Sequence, residues 1–332
     1  MKRRSSTFLL SISTGVVLLA FLFAVSVSRA EYPDRPVTII VPSGPGGPLD
    51  LIARAIALGA EKPLGQSIVV DNKPGGGGTV GLSVVAAAKP DGYTLCAAST
   101  TPMIRAPLLQ KVPFKPLGSF TPILGFALPH SAIVVKTGAP WTSLQELVEY
   151  AKKNPGKIKY SSSGLGSAMH HAMEVVALKE GIKWVHVPYQ GPAPALTALL
   201  GGHVDVCSSG ADFLPQARSG TVRVLATNGE KRLTALPDVP TLKELGYDFV
   251  DETVFSIVGP AGLPRDITSK LETAFSASME AHPFRSTTAT LDLVPISLKS
   301  EEYSRYLTDL WFRLEKSLRE TGLIKEAATR PN

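Results

Sequence analysis

From residue 37 onward the chain alternates between two hydrophobic patterns. Val37–Val41 is an unbroken apolar, β-branched run, the pattern of a strand covered on both faces. A glycine- and proline-rich loop, 43–48, separates it from residues 49–60, which place Leu51, Ile52, Ala55 and Ile56 on one helical face. Strands predicted at 67–70 and 93–97 flank a second glycine loop, 74–78, and a helix over 79–88. Beyond a proline-rich connection, 102–129, the pattern predicts strands at 132–136, 157–161, 184–187, 203–206 and 221–227 and helices at 144–153, 168–180 and 193–200. Thr142 and Ser143 are suited to cap the helix that begins at Leu144. Helices over 264–282 and 300–320 close the chain. Strand and helix in regular succession predict an α/β protein with a mostly parallel sheet flanked by helices.

Charge changes this picture only at one end. The 34 Lys and Arg against 28 Asp and Glu leave a net charge of +6, which raises nucleic-acid binding as a reading. Its placement removes that reading. Lys2, Arg3, Arg4 and Arg29 lie in a segment without one acidic residue, and residues 8–27 carry no charge. A basic start, an apolar run and the small-residue end Ser28-Arg29-Ala30 are the three parts of a secretory signal, so cleavage is predicted after Ala30. An uncleaved anchor is the alternative, because the apolar run approaches the roughly 18–20 residues of a membrane span. Either way the remainder is expected outside the cytoplasm, in the periplasm. Without its first 30 residues the chain keeps a net charge of only +2, too little for a nucleic-acid partner. Cys96 and Cys207 sit in apolar, strand-like contexts and are expected as buried free thiols. A chain of 332 residues has the length of two domains.

The candidate chemistry is mostly negative. Gly76-Gly77-Gly78-Thr79-Val80-Gly81 has the GxGxxG spacing of a dinucleotide site. The predicted strand ends four residues before it, where a tight turn is required, and residues 98–101 offer no acid for a ribose. Gly156-Lys157 runs into Ile158 where a phosphate loop needs Ser or Thr, and no GxSxG elbow occurs. His170, His171 and Glu174 share a helical turn, but adjacent histidines point about 100° apart, so one ion cannot meet all three. No cofactor and no metal are expected. A triad of Ser162, His170 and Asp205 stays open, although nothing local activates the serine.

Three strand-to-helix junctions carry small, uncharged loops: 43–48, 74–78 and 161–167. A helix N-terminus presents unpaired N–H groups and about half a positive charge, and glycine lets an anion come close to that backbone. Such loops lie at the carboxyl ends of parallel strands, where open α/β sheets bind ligands. Apart from Lys73 at one edge they hold no cation, which points to a small carboxylate held by neutral donors.

Many weak motifs in fixed order then resemble one family. They are Tyr32-Pro33-Asp34-Arg35-Pro36; Val41-Pro42 with Gly46-Gly47 and Asp50; Leu64-Gly65-Gln66 leading to Val69-Val70-Asp71-Asn72-Lys73-Pro74-Gly75; and Pro90-Asp91-Gly92-Tyr93-Thr94-Leu95. Asn154-Pro155-Gly156-Lys157, Tyr160-Ser161-Ser162-Ser163-Gly164-Leu165-Gly166-Ser167 with His170, His186-Val187-Pro188-Tyr189-Gln190-Gly191, the run 194–205 and Ala235-Leu236-Pro237-Asp238-Val239-Pro240-Thr241 follow. Together they resemble the Bug-type extracytoplasmic solute receptors of tripartite tricarboxylate transporters.

The resemblance implies a type II periplasmic-binding-protein fold, two Rossmann-like lobes around a central cleft that closes like a hinged clamp. Lobe 1 would be residues 31–128 plus 250–332 and lobe 2 residues 129–249. It implies a ligand gripped by Ser43, Gly46, Gly47 and Pro48 from lobe 1 and by Ser162, Ser163, Gly164, Ser167 and His170 from lobe 2. Ser99, Thr100, Tyr189, Ser209 and Asp212 are expected at the same cleft. The implied partners are a di- or tricarboxylate and the integral-membrane permease subunits, served by a monomer that does no chemistry. The chain departs from the family at Ser43, where an aromatic residue is usual, at Phe114-Lys115-Pro116 in place of Tyr-Asp-Pro, and in 204–214, about one residue short. An exported α/β hydrolase and a sensor that presents ligand to a signalling partner are the competing readings.

Overall fold

The computed structural model describes residues 32–324, so the segment read as a secretory signal and its expected cleavage point lie outside the described residues. The chain opens with β1 (Val37–Val41), α1 (Pro48–Leu64), β2 (Ile68–Asn72), α2 (Thr79–Ala86) and β3 (Thr94–Ser99). After helical turns at Thr101–Arg105 and Ala106–Leu109 come β4 (Phe120–Leu128) and β5 (Ala132–Lys136). Then follow α3 (Leu144–Lys153), β6 (Lys159–Ser162), α4 (Ala168–Glu180), β7 (Val185–Pro188), α5 (Pro192–Leu200), β8 (Val206–Ser209), α6 (Phe213–Arg218) and β9 (Val222–Thr227). The chain continues through β10 (Phe255–Pro260), α7 (Arg265–Ser278), α8 (His282–Thr290), β11 (Val294–Lys299) and α9 (Ser300–Glu320).

These strands form two sheets, ordered β11-β4-β10-β3-β1-β2 and β7-β6-β8-β5-β9. In the first, β1 lies parallel between β2 and β3, as the unbroken apolar run 37–41 requires of a central strand. In the second, β6 lies parallel between β7 and β8. The expectation of mostly parallel pairing is corrected by β10, β4 and β11 in one sheet and β5 and β9 in the other, which all pair antiparallel. β4 and β10 sit next to each other in the first sheet, while β5 and β9 pair in the second. The chain therefore crosses between sheets twice, at 129–131 and within 228–254.

Polar side chains stitch the two crossings together. Ser131 Oγ donates to Asp251 Oδ2 at 2.6 Å, and Asn228 donates to Ser131 through its amide, to the carbonyl, and through Nδ2, to Oγ, both at 2.9 Å. Asp251 N–H reaches the Asn228 carbonyl at 2.7 Å, and Asp251 Oδ1 takes the Thr253 amide at 3.1 Å and its hydroxyl at 2.6 Å.

Several predicted elements shift for physical reasons. The proline-rich connection 102–129 contains β4, whose Pro122 falls at a register irregularity against β10, where a missing N–H is tolerated. Strand β8 runs over 206–209 and not 203–206. The Asp205 carboxylate instead accepts the Lys159 amide at 2.8 Å, and the apparently polar Ser208 and Ser209 are fully buried. Ser143 caps α3 as expected, its Oγ accepting the Glu146 amide at 3.2 Å. Cys96 and Cys207 are both buried and free.

The GxGxxG run has a packing role. A Cβ at Gly81 would stand 2.8 Å from Pro42 Cβ, 2.9 Å from Pro42 Cα and 3.0 Å from the Lys73 carbonyl. Helix α2 therefore lies flush against the end of β1. Gly81→Val is expected to cost about 1–3 kcal/mol. Urea titration reads it as a lowered midpoint at unchanged slope, and an unchanged midpoint would show that α2 is free to move away.

Candidate functional site

The first loop is held from inside. Helix α1 begins at Pro48, with Gly47 as its cap, so the first-turn amides of Leu49 and Asp50 lack intrahelical acceptors. The Asp50 side chain turns back under the loop and is 2% exposed. It accepts Gly46 N–H at 2.8 Å, Asn72 Nδ2 at 2.9 Å and Arg54 Nε at 3.1 Å. Burial pushes its carboxyl up, but Arg54 and the N–H groups of Gly46 and Asn72 outweigh burial and hold it below the usual range. Asn72 also donates to the Ser43 carbonyl at 3.0 Å, while Ser43 Oγ is buried with no protein partner.

At the end of β3, Ser99 Oγ accepts the Thr101 amide at 3.3 Å. Thr100 is committed elsewhere: its hydroxyl donates to the Glu252 carbonyl at 3.2 Å and accepts Val254 N–H at 3.1 Å, fastening the returning crossing. Thr100 is expected at the cleft, yet its hydroxyl and its amide, which donates to the Val254 carbonyl at 3.2 Å, are both used within the protein.

The second sheet builds its counterpart from three strand ends. Ser167 caps α4, its Oγ accepting the His170 amide at 3.2 Å. Gly164 and Gly166 adopt φ of +133° and +73°, which the turn requires. Tyr189 N–H donates to the Ser162 carbonyl at 3.1 Å and Gly191 N–H to the Ser163 carbonyl at 3.3 Å, tying β7 to the loop. Ser163 Oγ contacts Met169 Sδ at 3.3 Å. A Cβ at Gly210 would stand 3.4 Å from Met169 Cε and 3.2 Å from Pro192 Cβ, so the end of β8 abuts the starts of α4 and α5. There Ser209 Oγ donates to Asp212 Oδ1 at 3.1 Å, and Asp212 Oδ2 is buried without a protein partner. Burial raises the Asp212 carboxyl, although the Ser209 hydrogen bond pulls the other way.

His170 does not point outward with its loop. Its Nδ1 accepts the Gly166 amide at 2.9 Å, and its ring stacks on His186 at 4.0 Å between centroids. His186 Nε2 lies 2.7 Å from Ser162 Oγ. Ser162, His170 and Asp205 therefore do not assemble as a triad: His186 takes the serine, Gly166 the histidine and Lys159 the carboxylate.

Several contacts join elements of the two sheets. A Cβ at Gly166 would lie 2.4 Å from Leu109 Cδ1, so the loop after β6 meets the turn after β3. Arg105, 4% exposed, approaches His171 Nδ1 at 3.2 Å, and His171 Nε2 lies 3.0 Å from Ser317 Oγ. Burial lowers Arg105 to about 10, with Asp251 opposing, so it stays charged at neutral pH. Arg218 pairs with Asp292 at 2.8 Å on another flank. Sequence reasoning missed Arg105, His186 and Asp251 as site or hinge residues. His186 was visible only as part of one motif, with nothing to say which ring or loop it meets. Among the described residues no group of three or more His, Cys, Asp or Glu is placed to hold a metal ion.

Residues 52–325 match the family model described as tripartite tricarboxylate transporter family receptor. The chain belongs to that family. The receptor is 34% identical over 326 residues to the UPF0065 protein in the gbd 5' region of Cupriavidus necator, covering 98% of this chain and 99% of that one. It is similar to the solved periplasmic binding protein BugD, with a TM-score of 0.77 and 32% identity over 89% of this chain and 100% of that one. A Rhodopseudomonas palustris protein solved with adipate gives 0.79 and 29%, covering 88% and 99%. MatC of the same organism, solved with bound malate, gives 0.74 and 28%, covering 86% and 100%. The two sheets of the receptor are thus the two lobes of a type II periplasmic-binding-protein fold. Among the described residues, no helix is long and apolar enough to cross a membrane.

Proposed function

We propose that this receptor is exported, cleaved after Ala30 and retained in the periplasm, where as a monomer it captures a small organic di- or tricarboxylate without transforming it. It then delivers the ligand to the permease subunits of a tripartite tricarboxylate transporter. One observation carries the reading: two uncharged strand-to-helix loops, 43–48 and 161–167, lead into α1 and α4 with first-turn amides at strand ends, and Gly166 of the second meets Leu109 of the turn after β3. Neutral N–H donors on preformed helix ends favour a carboxylate over a phosphate, which recruits Arg or Lys forks. The adipate and malate bound by its structural relatives agree with that ligand class.

In this reading Ser43, Gly46, Gly47 and Pro48 present one wall. Ser162, Ser163, Gly164 and Ser167, with Ser209, Asp212 and Tyr189, present the other. Ser99 lies at the floor, with Thr100 beside it at the end of β3. Residues 31–128 with 250–332 move as one lobe and 129–249 as the other.

Gly47 provides the test. Its φ of −75° and ψ of 164° are open to any residue, and a Cβ there would meet only the Gly44 carbonyl, at 3.8 Å. Gly47→Trp is therefore expected to leave the fold intact while reducing carboxylate affinity by about a hundredfold or more, since a blocked amide grip loses several charge-assisted hydrogen bonds. Calorimetric titration reads this directly, and undiminished affinity would show that the first loop is not the grip.

A further inference from the structure

The ligand loop of lobe 2 rests on an aromatic stack. The Tyr160 ring lies 4.8 Å from His186 at 19°, and His186 lies 4.0 Å from His170 at 10°, so three near-parallel rings underlie residues 162–166. Each imidazole holds one end of the loop, His186 through Ser162 Oγ and His170 through the Gly166 amide. The second bond fixes a tautomer. A backbone N–H always donates, so His170 Nδ1 must be bare and its proton must sit on Nε2.

We infer that His170 and His186 are positioning residues that hold the carboxylate-binding loop in shape, and that His170 does so only while its ring is neutral. This rests on the reading of 162–167 as a ligand loop. A proton on His170 Nδ1 would set N–H against N–H at Gly166, and two charged rings cannot remain stacked at 4.0 Å. The surroundings reinforce neutrality. Arg105, from the turn after β3, repels charge on His170, and His171 is its chain neighbour on α4. Glu174, also on α4, stands 3.8 Å from His170 Nε2, but its Oε1 is already taken by the Tyr160 hydroxyl of β6 at 2.6 Å. Burial dominates, bringing both His170 and His186 down to about 4.

Acid therefore acts on the loop before it reaches the ligand's own carboxylates. A released loop exposes rings that titrate near their ordinary value of 6.5, whereas the ordered loop keeps them neutral to about 4. Order, and with it affinity, is full above 6.5 and declines as the pH falls toward 4.

The test compares His170→Phe, which keeps an aromatic plate but removes the acceptor, with His170→Asn, whose Oδ1 replaces Nδ1. Malate and adipate serve as probes, titrated between about pH 5.5 and 7.5, and Gly166 amide exchange is followed by NMR without ligand. His170→Phe is expected to lose about ten- to a hundredfold in affinity and to lose Gly166 protection, the consequence of a donor without an acceptor. His170→Asn should recover most of both and flatten the pH profile. A Gly166 amide as protected in His170→Phe as in the wild type would overturn the inference, as would a pH profile unchanged in His170→Asn. If the wild type binds neither probe while the exchange pattern holds, the ligand reading fails and the positioning role stands.

Discussion

Moving the protein from about pH 7.5 to about pH 5 is expected to remove about 2 kcal/mol of folding stability for each of the buried histidines His170 and His171, with further losses from half-buried His186 and His130, which burial also lowers. His171 is 1% exposed and His170 4%, and His186 is half-buried beside Ser162. Burial lowers all three. Arg105 adds to it at His170 and His171, and His170 adds to it at His186, leaving them near 4, 3 and 4 respectively. An unfolded ring takes its proton near 6.5, so between that value and 4 only the unfolded state gains protons and stability falls with pH. At pH 5 the loss depends on the distance from 6.5 and not on how far below 5 each folded ring lies. Asp212, with a carboxyl raised by burial, offsets a small part by protonating early in the folded state. Urea midpoints at the two pH values measure the difference. His171→Phe should shrink that difference by about 2 kcal/mol, because one fully buried ring is gone. A stability equal at both pH values would show that these rings titrate as in free solution.

Replacing Asp251 by Ala is expected to cost about 3 kcal/mol or more, among the largest effects of any single substitution outside the hydrophobic core. Its carboxylate accepts from Ser131 Oγ, the Thr253 amide and the Thr253 hydroxyl, and so joins the outgoing crossing to the returning one. It is also the acid that offsets the buried charge of Arg105. Removal strands three donors and leaves that guanidinium without its counter-charge. The loss should be strongly coupled to Ser131→Ala in a double-mutant cycle, since the two side chains share a bond of 2.6 Å. Additive effects, or a loss below about 1 kcal/mol, would show that the crossings are held by their backbone hydrogen bonds alone.

Periodicity located the elements that begin or end at the loops of interest. The run 37–41, the helix over 144–153 and the helix over 168–180 appear at the predicted residues, since each buries one well-defined face or carries a clear cap. β4, β10 and β11 escaped, because they are built around Pro122, Gly125, Pro260 and Pro295 and pair across long sequence separations that no local pattern reports. β8 was displaced by three residues because it consists of Val206 followed by Cys207, Ser208 and Ser209, small side chains that read as a loop yet are fully buried. The small uncharged loops were legible, being defined by composition. What fixes them was not: the Asp50 carboxylate under one loop and the histidine stack under the other depend on strand register and helix phase.

The most direct measurement is the thermal unfolding midpoint of residues 31–332 across a panel of aliphatic, aromatic and amino-acid carboxylates. A ligand present at about 100 times its Kd adds about 2.7 kcal/mol of stability, which for a chain of this size raises the midpoint by about 4 °C. At least one di- or tricarboxylate is predicted to produce that shift in the wild type and to lose it in Gly47→Trp. A midpoint that no carboxylate moves would contradict the assignment of these loops to carboxylate capture.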